Sequence, residues 1–300
     1  MRIALVPDEV RPIESTVEIT SIDVGGGVDE SVLREVGFFV LPDQSPPADL
    51  KLIARMPRLE VVQLLWAGYD EALKYIPKDV VLCNARGVHD TSTAEMALAL
   101  MLTSLRGTDD FARAMNRGEW VHSRRESLAD KRVVVIGAGG VGRAIHRRLV
   151  PFEVDVVLVG QTARPGVYGI SSIRELLPHA DVVVLALPLT AETDGLVSTA
   201  FLAEMPDGAL LVNVARGAIV DSSALVAELA AGRLRAALDV TDPEPLPPRH
   251  PLWQAPGVVI SPHVGGSSSA FLPRARRLVD EQLTTWGQGL PLLHVVHRDQ

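Results

Sequence analysis

The sequence predicts an α/β protein of two doubly wound domains, each a parallel sheet covered by helices. Three observations carry this. Short β-rich runs alternate with helical stretches, the pattern of βαβ units. Several of the runs are apolar throughout rather than alternating, as strands buried on both faces must be. The alternation halts at a long helical segment and restarts near residue 132, and 300 residues suffice for two cores.

In chain order, residues 3–6, 17–20, 38–41, 59–65 and 80–83 read as strands, with helices at 29–35 and 48–55 between them. Ser92-Thr93-Ala94-Glu95 fits a capping box, with Ser92 as N-cap and Glu95 reaching back. The helix it opens is rich in strong formers as far as Arg106, and Gly107 interrupts or ends it. Residues 109–128 are polar and poor in β signals, which predicts a connection passing over a domain border. The second alternation opens with the β-branched run 132–136, then a helix over 141–149 stopped by Pro151. Strands follow at 154–159, 181–187, 209–214, 236–240 and 257–261, with a second capping box at Ser172 and Glu175. Residues 243–251 are a proline-rich loop, and a helix over 270–286 could return to the first domain. The expected division is therefore 1–98 with 271–300 as one domain and 99–270 as the other.

Composition narrows the function. The formal net charge of −8 argues against a nucleic-acid partner, and Arg274, Arg276 and Arg277 read as the solvated face of a helix. Cys83 is the single cysteine, so no internal disulfide forms, and its place after a Val/Leu run predicts a buried, inert thiol. No apolar run is long enough for a signal sequence or a membrane span. A cytoplasmic enzyme without a membrane partner is the expectation. His294 and His297 stand in a tail without matching ligands, so no metal site is expected.

Gly137-Ala138-Gly139-Gly140-Val141-Gly142 follows a strand and opens a helix. In that context the first glycine permits the tight turn, the second lets the backbone approach a pyrophosphate, and the third lets helix and strand pack closely. The helix N-terminus then offers amides and a positive dipole end to phosphate. A dinucleotide with a ribose 2′-hydroxyl calls for an acidic residue about 20 positions on. This chain has Gly160-Gln161-Thr162-Ala163-Arg164 there, without a carboxylate. Gln161, Thr162 and Arg164 can bind a 2′-phosphate, which predicts NADP(H) in preference to NAD(H).

Three further groups sit just after predicted strands, at the sheet edge where open α/β folds bind ligands: Arg216, Glu244 and His263. A guanidinium matches a substrate carboxylate as a fork. An imidazole can supply a proton to a carbonyl oxygen that gains charge, and a carboxylate beside it keeps the imidazolium protonated. That equipment suits hydride transfer at the carbon next to a carboxylate. Trp66, Tyr69 and Trp253 are candidate pocket aromatics, with core packing the commoner fate of any one.

These segments resemble the D-isomer-specific 2-hydroxyacid dehydrogenase family. The resemblance spans nearly the whole chain. It rests on Ala67-Gly68-Tyr69-Asp70, Asn84-Ala85-Arg86-Gly87-Val88-His89, Ser92-Thr93-Ala94-Glu95, the glycine turn, Leu187-Pro188-Leu189-Thr190, Asn213-Val214-Ala215-Arg216-Gly217, Asp239 with Glu244-Pro245, and Pro262-His263-Val264-Gly265-Gly266. It implies a Rossmann cofactor domain plus a flavodoxin-like substrate domain, with the active cleft between them. It implies Arg216 on the substrate carboxylate, His263 as acid/base and Glu244 as its partner. It further implies the backbone at Ala67 and Gly68 on the carboxylate, and Gly140 and Val141 on the pyrophosphate. Pro188, Val214, Ala215, Gly265 and Gly266 would line the cofactor groove, and Asp239 would hold the nicotinamide carboxamide. The implied substrate is a small 2-oxoacid, as in glyoxylate or hydroxypyruvate reductases, and the implied assembly is a homodimer. A formate or phosphite dehydrogenase shares the skeleton, but a formate enzyme would carry an amide at position 244. A dinucleotide-sensing corepressor would act through a disordered interaction tail, which this compact sequence does not lead one to expect. Two departures stand out: the ribose acid is missing, and Pro273 breaks the usual start of the last helix.

Overall fold

In a computed structural model, residues 2–12, 14–15, 17–22, 28–43, 47–69 and 72–297 are described. Asp70 lies outside them. The chain divides into two compact units, Met1–His89 with Ser268–Gln300 and Asp90–Ser267.

The first unit carries β1 (Ile3–Pro7), β2 (Glu18–Ile22), α1 (Glu30–Leu33), β3 (Val36–Val40), α2 (Pro47–Leu52), β4 (Val61–Gln63) and β5 (Val81–Cys83). The strands form a parallel sheet in the order β2-β1-β3-β4-β5, a flavodoxin-like winding. β3 is buried along its whole length, which explains its uninterrupted apolar run.

The second unit begins with α3 (Asp90–Arg106) and α4 (Thr108–Asn116), then β6 (Arg132–Ile136), α5 (Gly140–Leu149), β7 (Asp155–Gly160), β8 (Tyr168–Gly169), α6 (Ile173–Leu176), β9 (Val182–Leu185), α7 (Thr199–Glu204), β10 (Leu210–Asn213), α8 (Ser222–Ala230), β11 (Arg235–Leu238) and β12 (Val258–Ile260). Its sheet is parallel, in the order β12-β11-β10-β9-β6-β7-β8. The order reverses at β6, so the edge between β6 and β9 is the switch point where such sheets open a ligand crevice. Apolar side chains pack on both of its faces. Asp221 caps α8 by accepting from the amides of Ser223 and Ala224.

The chain then returns to the first unit as α9 (Phe271–Gly287), whose Phe271, Ala275, Leu278, Val279, Leu283 and Trp286 join one core face there. Gln282 of α9 is fully buried and its amide donates to Gln63 Oε1 at 2.6 Å and to the Leu293 carbonyl at 2.9 Å. Cys83 is also fully buried, and desolvation pushes its thiol up to about 11, so it is inert at neutral pH.

Several sequence expectations change. α3 starts at Asp90, before Ser92, and Ser92 is buried inside the helix, so the first capping box is absent. Glu95 instead pairs with Arg148. Ser172 closes a 3₁₀ turn and makes no side-chain cap, so the second box is absent too. The stretch 109–128 contains α4, which the polar composition hid because the helix buries only Ala114. All of it belongs to the second unit, as does the whole of α3, so the division falls at His89 rather than at 98 and again after Ser267 rather than 270. Pro273 does not disrupt α9, since it sits in the first turn where its missing N–H has no intrahelical partner to lose.

Candidate active site

The glycine turn forms as its sequence demands. Gly137 has φ +118°, and a Cβ on it would stand 2.1 Å from the Ala186 carbonyl oxygen. A Cβ on Gly142 would stand 1.7 Å from the Gly137 oxygen. Only glycine fits either position. Around Gly139, by contrast, a Cβ would meet nothing within 4 Å, so space is open where a pyrophosphate would approach. The first intrahelical bond of α5 runs from the Arg143 amide to the Gly139 carbonyl, leaving the amides of Gly140, Val141 and Gly142 without intrahelical acceptors. Open space, free amides and a helix N-terminus together fit a dinucleotide's pyrophosphate.

Gln161, Thr162 and Arg164 follow β7, and all three are exposed. Pro188 follows β9, and its carbonyl accepts from the Thr193 hydroxyl at 2.7 Å. Val214 and Ala215 follow β10 and are buried.

The loop carrying Arg216 is pinned by Asn213. Its Nδ2 donates to the Arg216 carbonyl at 2.9 Å, and its Oδ1 accepts from the Ala215 amide at 3.0 Å. The Arg216 guanidinium spends one donor on the Ala215 carbonyl at 2.8 Å and stays half-buried, with four donors to spare.

His263 follows β12 with φ +52°, a left-handed conformation that costs an ordinary side chain energy and needs support. Asp239, buried after β11, supplies it. Its carbonyl accepts from the His263 amide at 2.8 Å. Its Oδ1 accepts from the Ser261 hydroxyl at 2.6 Å and the Val264 amide at 3.0 Å, and its Oδ2 accepts from the Gly265 amide at 2.8 Å. One lone pair of Oδ2 remains for another donor. Gly265 is buried and Gly266 half-buried beside this carboxylate loop.

His263 Nδ1 meets Glu244 Oε1. That hydrogen bond holds the imidazole pKa above its ordinary value of 6.5, against burial and the nearby Arg216 charge, with the Asp239 charge helping. With Nδ1 occupied, Nε2 is the nitrogen left to exchange a proton with a ligand. Arg216, Asp239, Glu244 and His263 thus stand together after three neighbouring strands, β10, β11 and β12.

Ala67 and Gly68 belong to the first unit, in the loop after β4. The Ala67 carbonyl accepts from Asn84 Nδ2 at 2.8 Å, so Asn84 fixes this loop as Asn213 fixes the other. Of the aromatics, Trp66 is half-buried against both core faces of that unit. Tyr69 and Trp253 are exposed rather than core, and the Trp253 indole donates to the Pro247 carbonyl at 2.9 Å. Both asparagines escaped the sequence reading as pins, although each stands where a strand gives way to a site loop, which is the signal that marks them.

Residues 98–265 match the family model described as D-isomer specific 2-hydroxyacid dehydrogenase, NAD binding domain. The chain belongs to this family. A glyoxylate reductase/hydroxypyruvate reductase of Mus musculus is 35% identical over 239 residues, covering 75% of this chain and 73% of that one. Among solved structures, a D-isomer specific 2-hydroxyacid dehydrogenase from Xanthobacter autotrophicus Py2, in complex with NADPH and MES, matches with TM-score 0.79 and 29% identity over 99% of this chain and 98% of that one. An NADPH-dependent glyoxylate/hydroxypyruvate reductase from Sinorhizobium meliloti, in complex with NADP and sulfate, matches with TM-score 0.83 and 26% identity over 99% and 98%. This member of the family is accordingly an NAD(P)-dependent dehydrogenase. Among its described residues no helix is long and apolar enough to cross a membrane.

Proposed function

We propose that this dehydrogenase reduces a small 2-oxoacid of the glyoxylate or hydroxypyruvate class, with NADP(H) preferred over NAD(H). The observation that carries the reading is the His263–Glu244 hydrogen bond beside the Arg216 guanidinium, all three on neighbouring strand ends of a sheet that also bears the glycine turn. When bound, a reduced nicotinamide would supply the hydride that the carbonyl carbon accepts. Arg216 binds the substrate carboxylate with donors that no protein acceptor uses, and its charge polarises the neighbouring carbonyl. His263, protonated with Glu244's help, gives its Nε2 proton to the carbonyl oxygen, completing the hydroxyl. In the oxidising direction the neutral imidazole takes that proton back. Asp239 holds the histidine's loop and keeps one lone pair for the carboxamide. Gly139, Gly140, Val141 and Gly142 would hold the pyrophosphate, and Pro188, Val214, Ala215, Gly265 and Gly266 would line the groove. Ala67 and Gly68 keep, within the same proposal, the substrate contact that the family resemblance gives them.

The cofactor preference is supported by the lack of a carboxylate at 161–164 and by the exposed Arg164 there. The Xanthobacter and Sinorhizobium neighbours, which hold NADPH and NADP, point the same way. A homodimer is supported by the end of α4 and the segment after it, where Met115 is 73% and Trp120 95% exposed, apolar surface that a second copy would cover. The single cysteine suits a reducing cytoplasm.

Purified enzyme is to be assayed for NADPH and NADH oxidation with glyoxylate, hydroxypyruvate, phenylpyruvate and pyruvate, and for NADP⁺ and NAD⁺ reduction with formate. Turnover with a 2-oxoacid and a higher kcat/KM for NADPH is expected. Turnover with formate alone, or a clear preference for NADH, rejects the respective half of the proposal.

A further inference from the structure

The carbonyl of Ala138, between the first two glycines of the turn, accepts from two guanidinium groups at once. Arg143 Nε lies 3.1 Å from it and Arg164 Nη2 lies 3.1 Å from it. The two arginines come from different elements. Arg143 stands at the start of α5, and Arg164 in the turn after β7 that its own backbone closes by paired bonds with Val167 at 3.0 and 2.8 Å. A neutral oxygen does not offset two like charges brought to it. Among the described residues neither guanidinium forms an ion pair with a carboxylate, although this chain has an excess of acids. Exposed arginines here divide: Arg113 pairs with Asp109 and Asp110 and Arg117 with Glu119, whereas Arg34, Arg86 and Arg277 have no carboxylate partner among the described residues, so it is the convergence on one carbonyl that sets Arg143 and Arg164 apart. Each guanidinium has five donors and spends one on Ala138, so both Arg143 Nη nitrogens and Arg164 Nε and Nη1 keep theirs.

The place of this convergence matters. A Cβ built on Gly160, at the end of β7, would stand 3.4 Å from Ala138 Cβ and 3.6 Å from Arg164 Nη1. That strand end is where a dinucleotide fold presents its side chain to the adenosine ribose. Two unpaired forks beside a ribose site without an acid match a doubly charged phosphate ester far better than a neutral hydroxyl pair.

We infer that Arg143 and Arg164 form a two-sided clamp for the 2′-phosphate of the adenosine ribose, with Arg143 a specificity residue in its own right. The inference rests on the NADP(H) reading above and adds to it a residue from a separate element. The shared carbonyl of Ala138 holds the two forks in register before the ligand arrives. The competing role for Arg143 is that of a brace for the glycine turn, which would support every adenosine nucleotide alike.

Isothermal titration of the wild type with adenosine 2′,5′-bisphosphate and adenosine 5′-monophosphate separates the cases without turnover. The wild type is expected to bind the bisphosphate more tightly. Arg143→Gln keeps a donor for the Ala138 carbonyl while removing the charge. It is expected to weaken the bisphosphate about tenfold and change the monophosphate by less than about twofold, as loss of a charge-assisted bond to one phosphate predicts. Arg164→Gln is expected to behave likewise. Equal weakening of both nucleotides by Arg143→Gln overturns the clamp in favour of the brace. Selective weakening by Arg164→Gln with none by Arg143→Gln overturns the clamp while leaving the NADP(H) reading intact. Equal wild-type affinities for the two nucleotides defeat that reading itself, before any variant is made. Should Arg143→Gln not fold, Arg143→Lys keeps the charge and loses the fork. A selective loss for the bisphosphate smaller than that of Arg164→Gln then supports the clamp, and no selective loss overturns it.

Discussion

The two units treat their polar side chains in opposite ways. In the first, Gln63 and Gln282 are fully buried and the protein consumes their hydrogen-bonding capacity. Gln63 donates to the carbonyls of Leu64 and Asn84, and Gln282 donates to Gln63 and Leu293 and accepts from the Leu293 amide. At the strand ends of the second, Arg216, Glu244 and His263 stay partly exposed, and Arg216 and His263 keep donors that no acceptor among the described residues uses. Asp239 and Asn213 there are buried, and they spend themselves holding the histidine's and the arginine's loops. All of these are polar residues near strands in an apolar sequence. What separates structure from chemistry is whether the fold itself consumes their capacity.

The contrast breaks first, and most, at His263. His263→Ala should lower kcat by about 10²–10⁴-fold, the range for loss of a positioned general acid. NADPH affinity, titrated by nucleotide fluorescence, should stay within about twofold, since the change touches the proton and not the cofactor's phosphates. Retained kcat would remove His263 from the chemistry. Arg216→Lys comes next. A lysine keeps the charge but not the planar fork, so kcat/KM for the 2-oxoacid should fall about 10- to 100-fold, as hydrogen bonds to charged groups are worth ~1.5–3 kcal/mol. Wild-type kinetics from that variant would show that the guanidinium's geometry is not used.

How far this contrast could be read from residues alone differs by level. Residues 133–136 mark the interior of β6 because a strand buried on both faces must be apolar there. The glycine turn was legible because Gly137 and Gly142 are each demanded by a backbone atom that a Cβ would strike, while Gly139 leaves space open. Arg216 and His263 could be placed because residues just after parallel strands share one edge. The capping boxes misled because Ser-x-x-Glu fits an N-terminus locally, whereas the start of α3 at Asp90 is set by its packing on α5, β10 and β11. α4 stayed hidden because it is short and polar overall, and its few apolar side chains, Phe111, Ala114 and Met115, bury only the alanine. Asn84, Asn213 and Arg143 act through backbone carbonyls, and a hydrogen bond to main chain leaves no partner residue in the sequence to find.

A subtler change sharpens the comparison through pH. In the proposed reaction reduction uses protonated His263, so its rate should be full below the imidazole pKa and fall as pH rises through it. Glu244 holds that pKa above 6.5. Glu244→Gln removes the carboxylate, so the falling limb of kcat/KM for reduction should move to lower pH. The rising limb for oxidation, which needs the neutral ring, should move the same way. An unmoved limb in both directions would mean that Glu244 does not set the proton's affinity.

The smallest effect on turnover should come from the buried network of Gln63 and Gln282. Gln282→Leu keeps the volume but leaves Gln63 Oε1 and both backbone groups of Leu293 without their partner. Each orphaned group costs about 1–3 kcal/mol when it stays buried. The loss should appear as a lowered melting temperature and denaturant midpoint, because α9 and the segment around Leu293 close onto β4 through this amide. Its hydrogen-bonding partners all lie in the first unit, and none is Arg216, Asp239, Glu244 or His263. Wherever the variant remains folded, kcat and its pH profile should therefore match the wild type. A Gln282→Leu enzyme of normal stability but shifted pH profile would erase the distinction between consumed and displayed polarity, since a side chain with no capacity left to offer would then be governing a proton transfer.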